Sequence, residues 1–502
     1  MKLLAQKIAD FAQQTPHKMA IQGEFISFDY KTLQNEISRL GELLDLSSNK
    51  PKTVALLLDN EPAWALLDLS LIFNQQTIVP LPAFFSIQQL QHAIKDAAVE
   101  YLILDNKTRY QALFSNIESK TEIIIAEKRL FILQLKPTQI KTQKGGFKIT
   151  YTSGTTGQPK GVVLTNATLQ QKVMALAEAS ATTAADKALS ILPLSTLLEN
   201  IGGLYVPLFC GATVVLLRPE KMGLSGSSQV DSMALFTCLN FYNPTVFIII
   251  PQLLLLFIQS LSQGLKLPDS LRFIALGGAP IAQKLLITAQ KLKIPIFEGY
   301  GLSEAASVIA VNTPTHYRLG SVGLILKNHQ IKITEEGEIW VKDNLFTGYL
   351  GQPPFSAEQF YPTGDLGHQD NDGFLYITGR KKNIINSSYG RNISPEWIEK
   401  ELEALPLVAQ CLVYGHAKPY LIALIVPRIM NLNTENFKAA LQPLLDQINQ
   451  QLPDYARIQQ FRVINEPFSI QNGLLTGTGR PKRKQIIDQY QNQLDSYYET
   501  PI

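Results

Sequence analysis

The sequence predicts an α/β protein: a large N-terminal region of βαβ layers with a small β-rich subdomain, followed by a small α+β C-terminal domain. Three observations carry this. Short apolar strands alternate with helical stretches along most of the chain. From about Gly320 the strand candidates become shorter and closer together. A basic, polar break near Gly379–Asn383 then divides residues 1–379 from a compact stretch, 380–502. The length of 502 residues suits several domains at roughly 150 residues each.

Taken in order, Leu4, Ile8 and Phe11 recur at helical spacing in MKLLAQKIADFAQQTPHKMA. That segment lacks the uninterrupted apolar core of a secretory signal and reads as an amphipathic start. Thr53–Leu58 predicts a strand, Ala63–Phe73 a helix, Thr77–Leu81 a strand, Ile87–Ala98 a helix and Tyr101–Leu104 a strand. Phe147–Thr150 is a short β-like run, and Ala188–Leu192, Ala212–Leu217, Phe273–Leu276 and Ile294–Glu298 add further strands. This alternation implies βαβ units and largely parallel sheets.

Val246–Ile258, VFIIIPQLLLLFI, is the most membrane-like stretch. Pro251 and Gln252 split it into halves far shorter than the roughly 20 residues a bilayer requires. It predicts a buried strand followed by a helix with Pro251 in its first turn, and no transmembrane segment. In the subdomain, HQIKIT and GEIWVK flank a Glu/Gly turn. Beyond the break come a helix near Pro395–Leu405, a hairpin from CLVYG to LIALIV, a helix around Asn436–Gln451, a strand at Phe461–Ile464 and a Gln-rich terminal helix.

Composition narrows the function classes. With 45 Lys+Arg against 42 Asp+Glu, nothing demands an acidic polymer as partner, and no nucleic-acid module is recognisable. A charged fraction of 17% and an apolar fraction of 45% exclude a disordered, charge-rich chain. Cys210, Cys238 and Cys411 are far apart, with no CxxC pair, which argues against a disulfide framework or a Cys-based zinc site. A reduced, cytoplasmic setting is expected.

The strongest chemical signal is Tyr151–Gly161, YTSGTTGQPKG. Glycines that tolerate unusual φ, together with hydroxyls and backbone N–H groups, can turn towards phosphate oxygens, and Lys160 adds a cation. It is not a Walker A loop, because Lys160 follows Pro159 where that motif needs Gly-Lys-Ser/Thr. The residue order resembles the signature loop of the adenylate-forming (AMP-binding) superfamily, which includes acyl-CoA synthetases, peptide-synthetase adenylation domains and luciferases. Further segments resemble that family in its own order: GGAP at Gly277–Pro280, EGYGLSE at Glu298–Glu304, GSVG at Gly320–Gly323 and GEIWVKDNLFTGY at Gly337–Tyr349. TGD at Thr363–Asp365, GRKKNIINSSYGRNISPEWIE at Gly379–Glu399 and LLTGTGRPKR at Leu474–Arg483 complete the set.

The resemblance implies a two-step reaction. A carboxylate attacks the α-phosphate of ATP, giving an acyl-adenylate and pyrophosphate; a thiol of CoA or of a carrier protein's phosphopantetheine then takes the acyl group. It implies that Thr152, Ser153, Gly154, Thr155, Thr156, Gly157 and Lys160 hold the β- and γ-phosphates, and that Gly278, Ala279 and Pro280 lie beside the adenine. Within Glu298, Gly299, Tyr300 and Gly301, Tyr300 offers a flat face to the adenine. Ser303 would bond a phosphate oxygen, and Glu304 is a hard oxygen ligand for Mg²⁺. Asp365 would accept from the ribose hydroxyls, with Arg380 nearby. Lys382 falls at the family's pivot between its large domain and a small mobile one, near residues 380–383, and Gly390 in a loop that would reach the active site for thioester formation.

Two departures stand out. Arg480 occupies the place of the family's C-terminal lysine, which bridges the carboxylate and the α-phosphate. Its planar fork is not equivalent to a compact ammonium, and Lys482 lies two residues away. Thr196, in LPLSTLLEN, replaces a histidine that lines the acyl site of long-chain synthetases, whereas Glu199 is retained. The resemblance is greatest to long-chain fatty acyl-CoA synthetases and favours an apolar carboxylic acid. An aryl acid, a carrier-protein-loading enzyme and a nucleotide- or acyl-adenylate-binding protein with attenuated chemistry remain as alternatives.

Overall fold

The computed structural model describes residues 1–44, 51–106, 111–113, 117–136, 147–152, 159–225, 229–388, 390–429, 433–476 and 479–499. Among these, two large sheets form the body of the N-terminal region. In the first, Phe147–Thr152, Thr77–Pro80, Thr53–Leu57 and Tyr101–Leu104 run parallel at the centre. In the second, Ile296–Leu302, Phe273–Leu276, Val246–Ile249, Lys187–Leu189, Thr213–Val215 and Met19–Gln22 do the same.

The central strands read as unbroken apolar runs because both faces are covered. In Thr53–Leu57, Val54 and Leu56 enter one core while Ala55 and Leu57 enter another. Pro62–Phe73 is buried along nearly its whole length, which explains its lack of a polar face. Pro251 opens the helix Pro251–Ser262, as expected where a missing N–H is harmless. No helix among the described residues is long and apolar enough to cross a membrane.

The sheets are less uniformly parallel than the alternation implies. Antiparallel strands flank both centres, including a hairpin of Ile117–Ile125 and Lys128–Leu135 that the sequence reading missed. That hairpin has mostly solvent-accessible residues on Ile117–Ile125, so its apolar pattern is weak. The expected Ile294–Glu298 strand starts at Ile296 and runs on to Leu302, where it leaves the parallel ladder to pair antiparallel with Ser307–Val311. The β-rich subdomain is a four-stranded antiparallel sheet of Gln330–Ile333, Glu338–Lys342, Tyr361–Gln369 and Leu375–Arg380.

Past Arg380, a single 3₁₀ turn, Lys381–Asn383, leads to a three-stranded sheet of Val408–Tyr414, Leu421–Pro427 and Ile458–Val463. Leu421, Ala423 and Ile425 face a core shared with the helices Pro395–Glu403 and Thr434–Gln451. Ile422, Leu424 and Val426 face a second core closed by the helix Arg483–Glu499.

Candidate active site

The site is built where Ile296–Leu302 changes partners. Tyr300 pairs with Ala310 across a bulge, and Gly301 then passes so close to the Ser307 carbonyl that a Cβ there would lie 1.7 Å from it. Only glycine fits. Opposite, Asp365 and Arg380 are direct cross-strand partners. The Tyr300 hydroxyl donates to Asp365 Oδ2 at 2.7 Å, and Arg380 Nε lies 2.7 Å from Asp365 Oδ1. Asp365 is buried and held by a donor on each oxygen, yet a carboxylate has about four lone-pair sites, so acceptor capacity remains. Burial, reinforced by the Asp365 charge, keeps the Tyr300 phenol well above its ordinary value, so it stays a donor.

Glu304 lies in the 3₁₀ turn Ser303–Ala305 that follows the strand. Tyr349 donates to Glu304 Oε1 at 2.7 Å and lies 2.9 Å, hydroxyl to hydroxyl, from Tyr361. Lys160 Nζ sits 5.3 Å from the centre of the Tyr349 ring, a cation–π distance. Thr152 and Lys160 are register partners at the ends of two antiparallel strands. They frame the signature loop, whose Ser153, Gly154, Thr155, Thr156 and Gly157 lie outside the described residues. Ser303 opens the turn, its carbonyl accepting from Ala306 N at 3.1 Å.

Gly278, Ala279 and Pro280 form an exposed loop after Phe273–Leu276, with Gly278 at φ +93°. Arg480 arrives there from the C-terminal region: Nη2 and Nε donate to the Gly278 carbonyl at 2.7 and 3.2 Å. The guanidinium remains reachable from solvent but is crowded by protein and by Arg380, which together lower its pKa; Asp365, Tyr300 and Glu304 act in the opposite sense. Lys482 makes no side-chain hydrogen bond or ion pair among the described residues; its backbone N donates to Leu474 O at 2.8 Å. Lys382 is exposed to solvent, yet partial desolvation by the surrounding protein, followed by Arg380 and Arg480, lowers its pKa. Gly390 lies on an exposed turn closed by its own N–H to Ser387 O at 2.9 Å, with no heavy atom within 4 Å of a built Cβ.

Two buried carboxyls border the site. Burial raises Glu298 to about 8, against the opposing pull of Lys400 from the C-terminal region. Its Oε2 is buried without a partner among the described residues. Glu298 precedes Gly299 on the strand that carries Tyr300. Glu199 is 0% exposed and is also raised to about 8 by burial. Its Oε2 accepts from Leu192 N at 3.3 Å, while Oε1 has no partner of hydrogen-bonding geometry. Thr196 is half-buried and turned back on its own segment, donating to Pro193 O at 2.7 Å.

Sequence reasoning overlooked Tyr349 and Tyr361, which hold Glu304; Tyr349 ends a motif already recognised, and that was the available signal. It also missed a fully buried network under the signature strand. Lys148 Nζ donates to Asp68 Oδ1 at 2.7 Å, Asn200 Oδ1 at 2.5 Å and Tyr205 Oη at 2.6 Å. Tyr205 also donates to Asp68. Asn200 and Tyr205 bound a π-helical segment immediately after Glu199, so the network joins the strand leading to the loop with the segment bearing Thr196 and Glu199.

This fold is that of the adenylate-forming enzymes. The chain belongs to the AMP-binding enzyme family: the family's main domain matches residues 8–350 and its C-terminal domain matches residues 382–501. It is 25% identical to a long-chain-fatty-acid–CoA ligase of Mycobacterium bovis over 87% of this chain and 86% of that one. It is 28% identical to a 2-succinylbenzoate–CoA ligase of Bacillus velezensis, over 81% and 84% of the two chains. Among solved structures, o-succinylbenzoate CoA synthetase from Bacillus subtilis, in complex with its acyl-adenylate intermediate, superposes with a TM-score of 0.75 at 25% identity, covering 96% of this chain and 97% of that one.

Proposed function

We propose that this chain activates a carboxylic acid with ATP, forming an acyl-adenylate and releasing pyrophosphate, and then transfers the acyl group to the thiol of CoA or of a carrier protein. The observation that carries this is convergence. Arg480, from the C-terminal region, meets the Gly278 loop within electrostatic reach of Tyr300, Asp365 and Glu304. In this reading Asp365 takes the ribose hydroxyls with its remaining lone pairs. Tyr300, Gly278–Pro280 and Glu298–Gly301 surround the base, and Thr152–Gly157, Lys160 and Ser303 take the phosphates. Glu304 Oε2 has no donor among the described residues and is a hard oxygen suited to Mg²⁺, which when bound would offset phosphate charge. The domains divide at 379/380, with Lys382 as the hinge, and Gly390 belongs to the thiol-transfer arrangement.

The acid is apolar, most simply a fatty acid. The long-chain-ligase relatives and the apolar LPL run before Thr196 and Glu199 support this. The relatives named for 2-succinylbenzoate make an aryl acid the alternative. The three free cysteines, of which Cys238 and Cys411 are buried, support a reducing cytoplasmic setting. The test is pyrophosphate release and mass-spectrometric detection of an acyl-adenylate from a pool of fatty and aryl acids with ATP and Mg²⁺. Release that needs both ATP and one acid is expected; folded protein forming no adenylate from any acid refutes the reading.

Arg480 favours one second reading, a nucleotide- or acyl-adenylate-binding protein with attenuated activation. A large gain of activity in Arg480→Lys supports it. Activity unchanged in Arg480→Ala but lost in Lys482→Ala assigns the catalytic cation to Lys482 instead.

A further inference from the structure

Glu304 stands between two turns that hold left-handed backbone without glycine. Ala306 and Ser307, directly after its 3₁₀ turn, have φ of 51° and 88°. Asp343 and Asn344, just ahead of the segment that bonds it, have φ of 67° and 47°. Phe346 N donates to the Glu304 carbonyl at 2.7 Å, and the Tyr349 hydroxyl donates to its carboxylate. Asp and Asn tolerate this backbone region better than Ala and Ser do. Such residues persist where the structure around them over-determines their conformation.

A buried pair outside the proposed chemistry supplies that restraint. Lys172, on the helix Asn166–Ala179, is 0% exposed and makes no ion pair with a carboxylate among the described residues. Its Nζ donates to the carbonyl of Val308, the residue after Ser307, and lies 2.6 Å from His329 Nε2. His329 is also buried, and its Nδ1 lies 2.9 Å from the Asp343 carbonyl. A carbonyl only accepts, so Nδ1 carries the proton and Nε2 accepts from Lys172. Burial, then the nearby Lys172, lowers the His329 pKa to about 3, which keeps the imidazole neutral. Thr168, one turn earlier on the helix, donates to Leu345 O at 3.4 Å. That helix follows directly on the strand Lys160–Thr165. The pair therefore ties the element that begins at Lys160 to the chain on both sides of the Glu304 site.

We propose that Lys172 and His329 are positioning residues for Glu304: through the Val308 and Asp343 carbonyls they fix the two left-handed turns that aim its carboxylate. This rests on the reading that Glu304 takes Mg²⁺ beside the phosphates. Both side chains act through backbone, and neither is a catalytic residue. What they set is the place of the metal's oxygen ligand relative to Lys160.

The test uses the full chain. Uptake of Mn²⁺ is read by electron paramagnetic resonance with α,β-methylene-ATP, whose α–β bridge cannot be cleaved, and AMP affinity by calorimetry. Lys172→Met and His329→Leu should each weaken Mn²⁺ uptake at least about fivefold, with AMP affinity within about twofold of wild type. Ser307→Gly added to Lys172→Met should recover at least about twofold, because glycine takes positive φ without strain. A smaller loss in both apolar variants, an equal loss of AMP affinity, or no recovery by glycine overturns the proposal. Where an apolar variant does not fold, Lys172→Gln or His329→Asn replaces it; a loss of at least about twofold is then expected, and a smaller one overturns the proposal. Wild type that binds AMP but takes up no Mn²⁺ with the analogue refutes the reading of Glu304 as metal ligand, and the proposal with it. Uptake alike in wild type and variants refutes only the role of the pair.

Discussion

Asp365 shows how much one side chain can be asked to do. Its two oxygens already accept from Tyr300 and Arg380, each at 2.7 Å. Hydrogen bonds to a charged group contribute about 1.5–3 kcal/mol each. Asp365→Asn keeps the shape but loses the charge that pairs with Arg380, and it should raise KM for ATP roughly tenfold to a hundredfold, measured by pyrophosphate release. Tyr300→Phe removes one donor and should cost less.

Glu199 makes a different demand, on stability. Its folded pKa of about 8 lies above the unfolded carboxylate value of about 4.3, so the folded chain keeps a proton that the unfolded chain has lost. Its contribution is complete below about pH 4, falls as pH rises through that window and is flat above about 8, with a slope of at most about 1.4 kcal/mol per pH unit. Glu298 and Glu403, both raised to about 8 by burial, lean the same way. Denaturant melts of Glu199→Gln should decline less steeply between about pH 5 and pH 8 than those of wild type.

Among the elements, the strand Phe147–Thr152 carries the heaviest requirement. Lys148 and Asp68 are both buried, and Lys148 also holds Asn200 and Tyr205. Asp68→Ala leaves a buried ammonium without its counter-charge and should destabilise by about 3–5 kcal/mol in urea unfolding. The paired change Lys148→Met with Asp68→Leu should cost much less, because neither charge is then left alone. This network was illegible in the sequence: nothing local to a lysine in a β-like run, or to an aspartate in an apolar helix, reports that the two meet. By contrast, Tyr101–Leu104 and Phe273–Leu276 were read to the residue, since strands covered on both faces have unbroken apolar runs. Asp365 and Arg380 were legible only as motif members, and their cross-strand register needed the fold.

At the scale of the whole molecule, the basic run Arg380–Lys382 lies between two regions with separate cores. Lys381 is tied to Glu336 and Glu338 at 2.7 and 3.0 Å, while Lys382 faces the cations of the site. If nucleotide closes the two regions together, ATP at about 100 times its Kd should slow tryptic cleavage at this run at least tenfold, followed by mass spectrometry. The break at Gly379–Asn383 is legible in the sequence as a run of basic and polar residues. The direction in which the C-terminal region faces was not, because contacts such as that of Arg480 with the Gly278 carbonyl join residues 202 positions apart.

Arg380 is the final residue of its strand, and the turn Lys381–Asn383 begins at the very next peptide bond. The residue that grips Asp365 therefore shares a bond with the turn that leads into the C-terminal region. In mechanical terms, the grip on Asp365 sits at the joint between the two regions. Any torque carried along the chain from the C-terminal region is delivered first to the side chain paired with Asp365, with no intervening lever to absorb it.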